Sequence, residues 1–264
     1  MITPSVASLL EHYQWLLSLY AGIGIVAASL VITRVTKFVP AIKEGYRLNV
    51  DMFKAKMERP AYAANQKWNR KWALPFLVVV FGLMLPFALT LEAQPWWMML
   101  LDVVVILMVY DFFYYLMHRY TFHDNGILGG PLKWMHAIHH RQHDPCRADS
   151  SYIHPLEVAL GMGLFAVTIL MLSWPMGRFH VATVVVSWIA FSRINVHNHA
   201  QWKADWFPFK YMNYASKMHH NHHARFTGGN YATITLLFDW MFGTLDKGEG
   251  WGKEAQVRGQ TIGS

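Results

Sequence analysis

Apolar residues occur in long runs along this chain, and shorter polar segments separate the runs. Four runs approach the length of about 20 residues that crosses a bilayer as a helix, and they cover residues 15–35, 73–91, 96–117 and 158–176. A fifth run, 181–196, is shorter and would need support from its neighbours to span. The pattern predicts an all-α protein, a multi-span helical bundle integral to a membrane.

Two polar segments are predicted to be helices that lie on the membrane surface. Residues 37–72 mix Met, Phe and Tyr with Lys and Arg, and residues 202–218 combine aromatic residues with lysines. Most aromatic residues of the second segment are expected to form an interfacial belt. The alternative is that some of them line an entrance for a lipid chain. Glu11 and His12 precede the first run in place of a basic region, which favours an anchor over a signal peptide.

Basic residues provide an independent test of this layout, because Lys and Arg are retained on the cytoplasmic side of inserted helices. The chain has 23 Lys and Arg and a net charge of +7. If the first span runs from outside to inside, segment 36–72 is cytoplasmic, and Arg178 is the only basic residue on the far side. The charge pattern therefore predicts five spans, with 181–196 as the fifth, and residues 118–157 and those after 196 are then cytoplasmic. Basic residues that border apolar spans indicate contact with anionic headgroups and no nucleic-acid partner.

Histidines concentrate in the part of the chain that is predicted to be cytoplasmic. The chain has 15 histidines, and all except His12 and His180 lie in four groups, or close to them, on that side. Two segments, 136–140 and 219–223, share the spacing H-x-x-H-H. Positions i, i+3 and i+4 lie on the same face of a helix, so each motif is expected to direct three imidazoles toward one point. The candidate metal ligands are His118, His123, His136, His139, His140, His197, His199, His219, His222 and His223.

These imidazoles exceed the four ligands of a structural zinc site and suffice for two metal ions with open positions. Imidazole binds zinc, copper, iron and nickel, so ligand type does not identify the metal. His118 and His123 are about 140° apart on an ideal helix and converge only if the helix ends or bulges. His197 and His199 face away from each other on a helix, so one is a ligand and the other a supporting donor, unless the helix unwinds. Cys146 is the only cysteine, which excludes an internal disulfide and a Cys-based zinc site.

The motifs resemble those of the fatty acid hydroxylase / sterol desaturase superfamily, which consists of integral-membrane histidine-motif oxygenases. The resemblance covers residues 100–246 and includes Asp111-Phe112-Phe113-Tyr114-Tyr115, His118-Arg119, His123, the two H-x-x-H-H motifs, Pro145, His154-Pro155-Leu156-Glu157, Asn230-Tyr231 and Asp239-Trp240-Met241-Phe242-Gly243-Thr244. Ala232 and Phe238 stand where the family usually has glycine and tryptophan. This difference concerns only local packing near the site.

The resemblance implies a cytoplasm-facing, histidine-rich cap that holds two iron ions, with zinc as a substitute in a purified sample. Such a centre uses dioxygen as co-substrate to hydroxylate or desaturate a membrane lipid such as a sterol or fatty acyl chain. No redox cofactor domain is recognisable, so electrons are expected from a separate reductase, ferredoxin or cytochrome, attracted by the basic surface. The lipid, the choice between hydroxylation and desaturation, and the oligomeric state stay open.

Acidic residues and the remaining histidines are predicted to support the ligands. Asp111, at the end of a span, is predicted to accept a hydrogen bond from a ligand imidazole, and the alternative is a helix-end or packing role. Glu157, Asp239 and His154 are predicted to stand behind the ligands. Arg119 is predicted to contact a headgroup or the substrate. Other supporting positions are His143 and His220.

The chain is expected to form one structural unit. Its parts are an N-terminal membrane region, 1–95, with two spans and the basic segment, a hydroxylase-like catalytic region, 96–246, and a loosely ordered tail, 247–264. Two other functions are consistent with clustered histidines: a membrane metal transporter or sensor, and a bis-histidine haem protein for electron transfer. Transporter sites lie near the bilayer midplane, whereas these histidines lie beyond the span ends. An absorption spectrum would reveal haem.

Overall fold

Nine α-helices make up most of residues 12–123 and 126–250, which are the residues that the computed structural model describes. The helices are α1 (Trp15–Thr36), α2 (Pro40–Met57), α3 (Pro60–Leu77), α4 (Trp96–Met117), α5 (Lys133–His139), α6 (Pro155–Met176), α7 (Val181–Asn198), α8 (Phe209–Ala224) and α9 (Leu237–Met241). A π-helical segment (Val78–Met84) and a 3₁₀ turn (Leu85–Phe87) extend α3, a π-helical turn (His118–Phe122) extends α4, and a 3₁₀ turn (Arg147–Ser151) precedes α6. Two-residue strands β1 (Leu89–Thr90) and β2 (Phe179–His180) pair in parallel. The all-α prediction is confirmed.

Within the described residues, four helical segments are long and apolar enough to cross a membrane: Trp15–Thr36, Pro60–Phe87, Trp96–Phe122 and Pro155–Met176. Large apolar side chains on these segments are exposed, with Leu30 at 67% and Trp174 at 93% of their maximum, as expected where lipid replaces water as the solvent. The fifth predicted segment forms α7, which is not among the four. Helix α7 nevertheless packs against α1 and α4, and it returns the chain from β2 to the end of the bundle where His118 lies.

The second span begins earlier than the sequence predicts. The sequence places a boundary at residue 73, between a surface helix and a span, but α3 begins at Pro60 and continues to Phe87 without a break. Pro75 lies within this helix, and the π-helical segment follows it. Residues 60–72, which were predicted to lie on the membrane surface, belong to this candidate span. Polar residues of α2 and α3 are buried against the rest of the protein.

An aromatic cluster holds three of the central helices together. Phe165 of α6 stacks on Phe191 of α7 with ring centroids 4.5 Å apart. Tyr110 of α4 packs edge-on against Phe165 at 5.5 Å and against Phe191 at 5.1 Å. These contacts place the C-terminal ends of α4 and α7 beside the N-terminal end of α6. The histidines of the predicted site lie at these ends.

The opposite end of the bundle carries the two short strands, with Leu89 opposite Phe179. His180 lies there and caps α7 by accepting a hydrogen bond from the Ala182 backbone N–H, so it lies away from the candidate ligands, as predicted. Cys146 is buried, and burial raises the pKa of its thiol to about 11, so the thiol stays protonated at neutral pH. Residues 251–264 of the predicted tail lie outside the described residues.

Candidate metal centre

Two adjoining groups of histidines occupy the end of the bundle where α4, α6 and α7 meet. The first group comprises His118, His123, His136, His140 and His222, and the second comprises His139, His199, His219 and His223. Within each group, one nitrogen from each ring lies within 4.8 Å of the corresponding nitrogens of the others. The rings of His140 and His223, one from each group, stack at 4.8 Å. Nine of the ten predicted ligands are therefore brought together, five in one group and four in the other.

Each H-x-x-H-H motif contributes to both groups. In 136–140 the first and last histidines join the first group and the middle one joins the second, whereas in 219–223 the assignment is reversed. Positions i and i+4 differ by about 40° around a helix, but positions i+3 and i+4 differ by about 100°. The expectation that all three imidazoles of a motif meet at one point is therefore wrong, because only i and i+4 share a group.

A π-helical turn brings His118 and His123 together. The turn covers His118–Phe122, and the His123 N–H donates to the His118 carbonyl, five residues back, at 3.1 Å. The two ring centroids are 5.0 Å apart. The prediction that these rings converge only where the helix bulges or ends is confirmed.

His197 and His199 have different surroundings. The Nε2 atom of His199 lies 3.0 Å from that of His139, within the second group. His197 belongs to neither group, and its Nε2 donates instead to the Met212 carbonyl at 2.8 Å. Because the residues two apart on α7 face different ways, the structure leaves His197 out of the candidate ligands and gives it a packing role between α7 and α8.

Hydrogen bonds at the outer edge of the rings determine which nitrogen faces each group. Six Nδ1 atoms donate to oxygen: His118 to Tyr231 O, His123 to Phe226 O, His222 to Gly229 O and His136 to Glu157 Oε1, each at 2.7 Å, His199 to Asn195 O at 2.9 Å, and His139 to Tyr152 O at 3.1 Å. A carbonyl oxygen or an ionised carboxylate cannot donate, so these Nδ1 atoms carry the hydrogen, that of His136 with Glu157 as the carboxylate. In a neutral ring, the Nε2 that faces the group then carries only a lone pair.

Lone pairs therefore face each other inside both groups. The Nε2 atoms of His118 and His136 are 3.0 Å apart in the first group, and those of His139 and His199 are 3.0 Å apart in the second. Neither contact is a hydrogen bond between neutral rings, because neither Nε2 has a hydrogen to donate. Imidazole nitrogens bind a metal such as zinc at about 2.1 Å, so two such ligands at right angles are about 3.0 Å apart. The donor sets thus fit a metal ion in each group.

Unpartnered ring nitrogens point to the same conclusion. Both ring nitrogens of His223 and the Nε2 of His123 are buried and have no hydrogen-bond partner in the part of the chain that the structure describes. A neutral imidazole always has one N–H and one lone pair, so burial without a partner costs free energy unless a metal takes up the lone pair. Burial also lowers the pKa of His136, His140 and His223, which keeps these rings neutral.

Metal affinity is expected to stay nearly constant from about pH 8 to about pH 6 and to fall below about pH 5. Burial lowers the pKa of His139 and His222 to about 4, from the usual value of about 6.5. No proton therefore has to leave these rings before a metal binds at neutral pH, and protons compete only as the pH approaches 4. Titration of metal-free protein with Co²⁺ at a series of pH values measures this. An affinity that already declines below pH 7 would contradict it.

The segment after α8 supplies the carbonyl groups behind the first histidine group. Gly229 and Tyr231 accept from His222 and His118 as described above, and Asn230 between them has a positive φ of 64°. The Asn230 side-chain amide donates to Met218 O at 2.8 Å and to Asp246 O at 2.7 Å. Asparagine tolerates this left-handed conformation better than most residues. The Asn-Tyr motif therefore orients imidazoles through its backbone.

Asp111 and Asp239 accept hydrogen bonds from the backbone of residues 231–235, in the segment after α8, and do not contact an imidazole. Asp111 accepts hydrogen bonds from the backbone N–H groups of 233–235 at 2.8 to 3.0 Å and from the Thr235 hydroxyl at 2.8 Å. The prediction that Asp111 accepts from a ligand imidazole is wrong. Asp239 accepts from the Tyr231 and Ala232 N–H groups at 2.8 Å, one residue removed from the carbonyls that orient the rings.

Glu157 is the acidic residue that contacts a ligand directly. It lies in the first turn of α6, it is 7% exposed, and its Oε1 accepts from His136 Nδ1. His154 precedes it and caps α6 by accepting from the Leu156 N–H at 3.1 Å. Glu157 therefore contacts a candidate ligand, whereas His154, also predicted to support the ligands, caps the helix and bonds no candidate ligand among the described residues. Arg119 donates to the Tyr115 hydroxyl at 2.6 Å.

His143 and His220 lie next to the ligands without joining either group. His143 Nδ1 is 3.3 Å from the His223 carbonyl, and His220 Nε2 is 3.3 Å from the Ser216 hydroxyl. Both positions agree with the supporting roles that their departure from the repeated spacing indicates.

Helices α2 and α3 bind the loop before α6, residues 144–154, which lies behind the second histidine group. We call these contacts the clamp, and the sequence did not predict them. Lys56 of α2 forms a buried ion pair with Asp149, and Tyr62 of α3 donates to the other Asp149 oxygen at 2.6 Å. Asn69 of α3 donates to the Ile153 carbonyl at 2.5 Å. The neighbouring Tyr152 carbonyl is the one that accepts from His139. Helices α2 and α3 therefore hold the loop that orients a candidate ligand.

Fold and site together define an integral membrane protein with a histidine-rich centre suited to two metal ions. Residues 103–244 match the family described as fatty acid hydroxylase, which is more than half of the chain. The protein belongs to this family. The resemblance that the histidine motifs indicate is thereby confirmed, and α1 to α3 lie outside the matched region.

Two curated relatives illustrate the range within this likeness. The chain is 29% identical to methylsterol monooxygenase 1 of Rattus norvegicus over an alignment of 134 residues. This alignment covers 49% of this chain and 41% of the relative. Over 120 residues it is 29% identical to very-long-chain aldehyde decarbonylase GL1-8 of Oryza sativa subsp. indica, which covers 42% of this chain and 43% of the relative. The chain thus spans about two fifths of the length of these relatives. No solved structure matches the chain significantly.

Proposed function

We propose that this protein is a membrane-bound diiron oxygenase that hydroxylates or desaturates a lipid with dioxygen and electrons from a separate donor. The observation that supports this most directly is the pair of Nε2 contacts at 3.0 Å, one in each histidine group, in which two lone pairs face each other. Two adjoining metal positions allow two ions to share the electrons that the reduction of dioxygen consumes. The names of the two relatives, which specify a methylsterol and a very-long-chain aldehyde, support a lipid substrate.

The ligand set favours a metal that changes oxidation state. Bound iron would supply the activation of dioxygen that oxidises an unactivated carbon. The nine histidines are neutral ligands, and Glu157 is the carboxylate that touches one of them. Neutral ligands leave the positive charge of the ions largely uncompensated, which favours acceptance of electrons. Glu157 also fixes the His136 ring with its Nε2 toward the first group.

A cavity beside the second group offers a place for the reacting carbon. Its volume is about 210 Å³, and His139, His199 and Glu157 line it together with apolar side chains of α4, α6 and α7. Tyr110 and Phe191 form part of its wall. An apolar cavity next to the ligands holds a hydrocarbon segment and excludes bulk water from the oxidation.

The same geometry disfavours the two alternative functions, a bis-histidine haem protein and a membrane metal transporter or sensor. Nε2 atoms of facing rings at 3.0 Å leave no room for a porphyrin, since axial nitrogens on opposite sides of one iron are about 4 Å apart at a bond length of about 2 Å. The candidate ligands also lie at the ends of α4 and α7 and beyond them. Transporter sites lie near the midplane of the bilayer.

The orientation and the electron donor are further parts of the proposal. We place the histidine centre on the cytoplasmic side, because segment 36–72 carries nine of the 23 basic residues and adjoins the spans at that end. A soluble reductase, ferredoxin or cytochrome with an acidic surface would be attracted to this basic face. An accessible reporter at Lys43 and one at Arg178 are expected to label from opposite sides of sealed membrane vesicles.

Reconstituted protein is expected to consume dioxygen and to place one oxygen atom into a lipid, or to remove two hydrogens from it. The assay uses iron-loaded protein in lipid nanodiscs, a reductase with ferredoxin, a panel of sterols, fatty acyl lipids and alcohols, and ¹⁸O₂. Mass spectrometry then identifies a product that carries the label or has lost two hydrogens. Glu157→Gln keeps an acceptor for His136 but removes the charge, and it is expected to lower turnover by about 10- to 100-fold.

A protein with two iron ions per chain that never consumed dioxygen above its metal-free control would contradict the oxygenase assignment. Metal flux into sealed vesicles would favour a transporter. His180→Gln is the matched control for Glu157→Gln, because His180 lies at the opposite end of the bundle, and it is expected to retain full turnover.

A further inference from the structure

Two neighbouring cavities lead from the second histidine group to the outer surface of α3. The inner cavity is the one of about 210 Å³ that touches His139 and His199. The outer cavity, of about 340 Å³, lies between α3 and α6. Four residues line both cavities: Ser150, Ile153, Val158 and Met162. A single layer of side chains therefore separates the outer cavity from the space beside the candidate ligands.

The outer cavity opens toward the lipid at the polar end of a span. Ala73 and Leu77 line it, both are exposed, and both belong to the span Pro60–Phe87. Arg70 lies one helical turn nearer the polar end and also lines the opening. Arginine at such a position reaches the phosphate groups of the bilayer. The opening is therefore at the boundary between headgroups and hydrocarbon.

Three buried polar atoms along these cavities have no hydrogen-bond partner among residues 12–123 and 126–250. They are Asn69 Oδ1 in the outer cavity and Tyr110 Oη and Glu157 Oε2 in the inner one. Their residues are 8%, 0% and 7% exposed. Buried polar atoms without partners are rare in folded proteins, and each requires an explanation such as a ligand that completes the hydrogen bond.

Asn69 defines what such a ligand must supply. Its amide nitrogen donates to the Ser151 carbonyl at 3.1 Å and to the Ile153 carbonyl at 2.5 Å. These acceptors identify the nitrogen, so the atom left over is the carbonyl oxygen, which can only accept. The missing partner is therefore a donor, which means a hydroxyl or an N–H group.

We propose that the outer cavity is the entrance and headgroup site for a lipid whose polar end carries a hydroxyl or an amide N–H that donates to Asn69. In the second part of this proposal, which rests on the proposed oxygenase function, the apolar portion of the lipid next to the headgroup passes between the side chains that line both cavities. It then lies in the inner cavity beside His139 and His199. Tyr110 Oη and Glu157 Oε2 then supply the polar atoms that a newly oxidised carbon would meet.

Another cavity adjoins the second group but is less suited to this role. It has a volume of about 270 Å³ and lies between α8 and the 232–236 segment, with Ala215 and Tyr214 in its lining. It reaches one candidate ligand, His219, whereas the inner cavity reaches two together with the carboxylate. None of the unpartnered atoms named above lines it. It therefore serves as the competing entrance in the test.

The entrance is built in part from a region that the family match does not cover. Asn69, Ala73 and Leu77 all precede residue 103, where the match begins. Relatives that share the histidine motifs need not share these residues. We therefore expect the selectivity for the lipid headgroup to be a property of the N-terminal helices of this chain.

Photo-cross-linking of full-length protein in nanodiscs tests the route without any turnover. The probe is a saturated long-chain alcohol with a diazirine in its chain, and peptide mass spectrometry locates the capture. Wild-type protein is expected to be labelled on the residues of α3 and α6 that line the two cavities, and this is the labelling that is scored. Ala73→Trp, which obstructs the opening, and Val158→Phe, which thickens the shared wall, are each expected to lower this labelling at least fivefold. Ala215→Trp adds the same bulk to the competing cavity and is expected to leave it unchanged.

The headgroup assignment is tested with two probes that differ by one donor. Asn69→Leu is expected to weaken binding of the alcohol about fivefold, the typical effect of one hydrogen bond, and to change binding of the matching methyl ether less than twofold. A purely structural role of Asn69 would weaken both probes equally and would overturn the assignment. Retention of α3 and α6 labelling in Ala73→Trp and Val158→Phe, or its loss in Ala215→Trp, would overturn the route.

These outcomes are independent of catalysis, because the probes bind whether or not dioxygen is consumed. Labelling as expected in a protein that oxidises nothing would refute the oxygenase and leave the lipid site standing. The opposite result is also informative. If the protein oxidises a lipid but Ala73→Trp and Val158→Phe leave the labelling unchanged, the entrance is refuted and the oxygenase assignment stands.

Discussion

Replacement of His199 by alanine is expected to remove the metal of the second group and to abolish lipid oxidation. His199 Nε2 lies 3.0 Å from both His139 Nε2 and His219 Nε2, so it stands at the middle of this group. Loss of outer supporting residues alone weakens metal binding about 10- to 100-fold, and loss of a ligand is expected to exceed this range. Metal content after dialysis should fall from two ions per chain toward one, and turnover should fall more than about 100-fold.

His197→Ala is the matched control for His199→Ala. The residue lies two positions away on the same helix, is a histidine of the same sequence group, and bonds the Met212 carbonyl in place of a candidate ligand. The variant is expected to keep both metals and to lose some stability from the missing hydrogen bond, about 1 kcal/mol. Loss of a metal in His197→Ala with retention in His199→Ala would contradict the site as described.

Replacement of Asp149 by asparagine is expected to destabilise the protein by about 3 to 5 kcal/mol, because it leaves a buried lysine without its counter-ion. Asp149 is fully buried and Lys56 is 7% exposed. Asp149 also accepts from the Tyr62 hydroxyl and, at 2.7 Å, from the Cys146 N–H. Unfolding in a titration of denaturing detergent measures the loss, and the loop behind His139 should open before the rest of the bundle.

Two further variants separate the buried ion pair from surface charge. Asp144→Asn removes an exposed carboxylate five residues earlier that bonds Gln201 at 2.8 Å, and it is expected to cost less than about 1 kcal/mol. The double variant Lys56→Met with Asp149→Asn removes both charges and is expected to recover much of the lost stability. Equal destabilisation by Asp149→Asn and Asp144→Asn would show that the clamp of α2 and α3 on the loop is unimportant.

Local patterns predicted the helices and the candidate ligands well, because both depend on short spacings. Runs of apolar residues predicted five spans, and four helical segments of the described residues are long and apolar enough to cross a membrane. The interval of five between His118 and His123 predicted a bulge that the π-helical turn provides. The division of each H-x-x-H-H motif between two groups was not predicted, although the angles between positions i, i+3 and i+4 around a helix are sufficient to predict it. Three imidazoles on one face were taken to share one metal.

Contacts between distant parts of the chain could not be predicted from the sequence. Lys56 and Asp149 are 93 residues apart, and Lys56 looks like one more basic residue of a segment that borders the membrane. Asp111 was assigned to an imidazole because a carboxylate at a span end is costly, but it satisfies three backbone N–H groups of a segment more than 120 residues later. Tertiary packing selects such partners, and no spacing rule encodes them.

Anomalous scattering from crystals of iron-loaded protein, recorded at the iron edge, tests the central claim most directly. The account predicts two peaks per chain, one surrounded by the first histidine group and the other by the second, each within about 2.2 Å of several Nε2 atoms. His197 should lie outside both coordination spheres. A single peak, or peaks that lie away from these nine rings, would contradict the account.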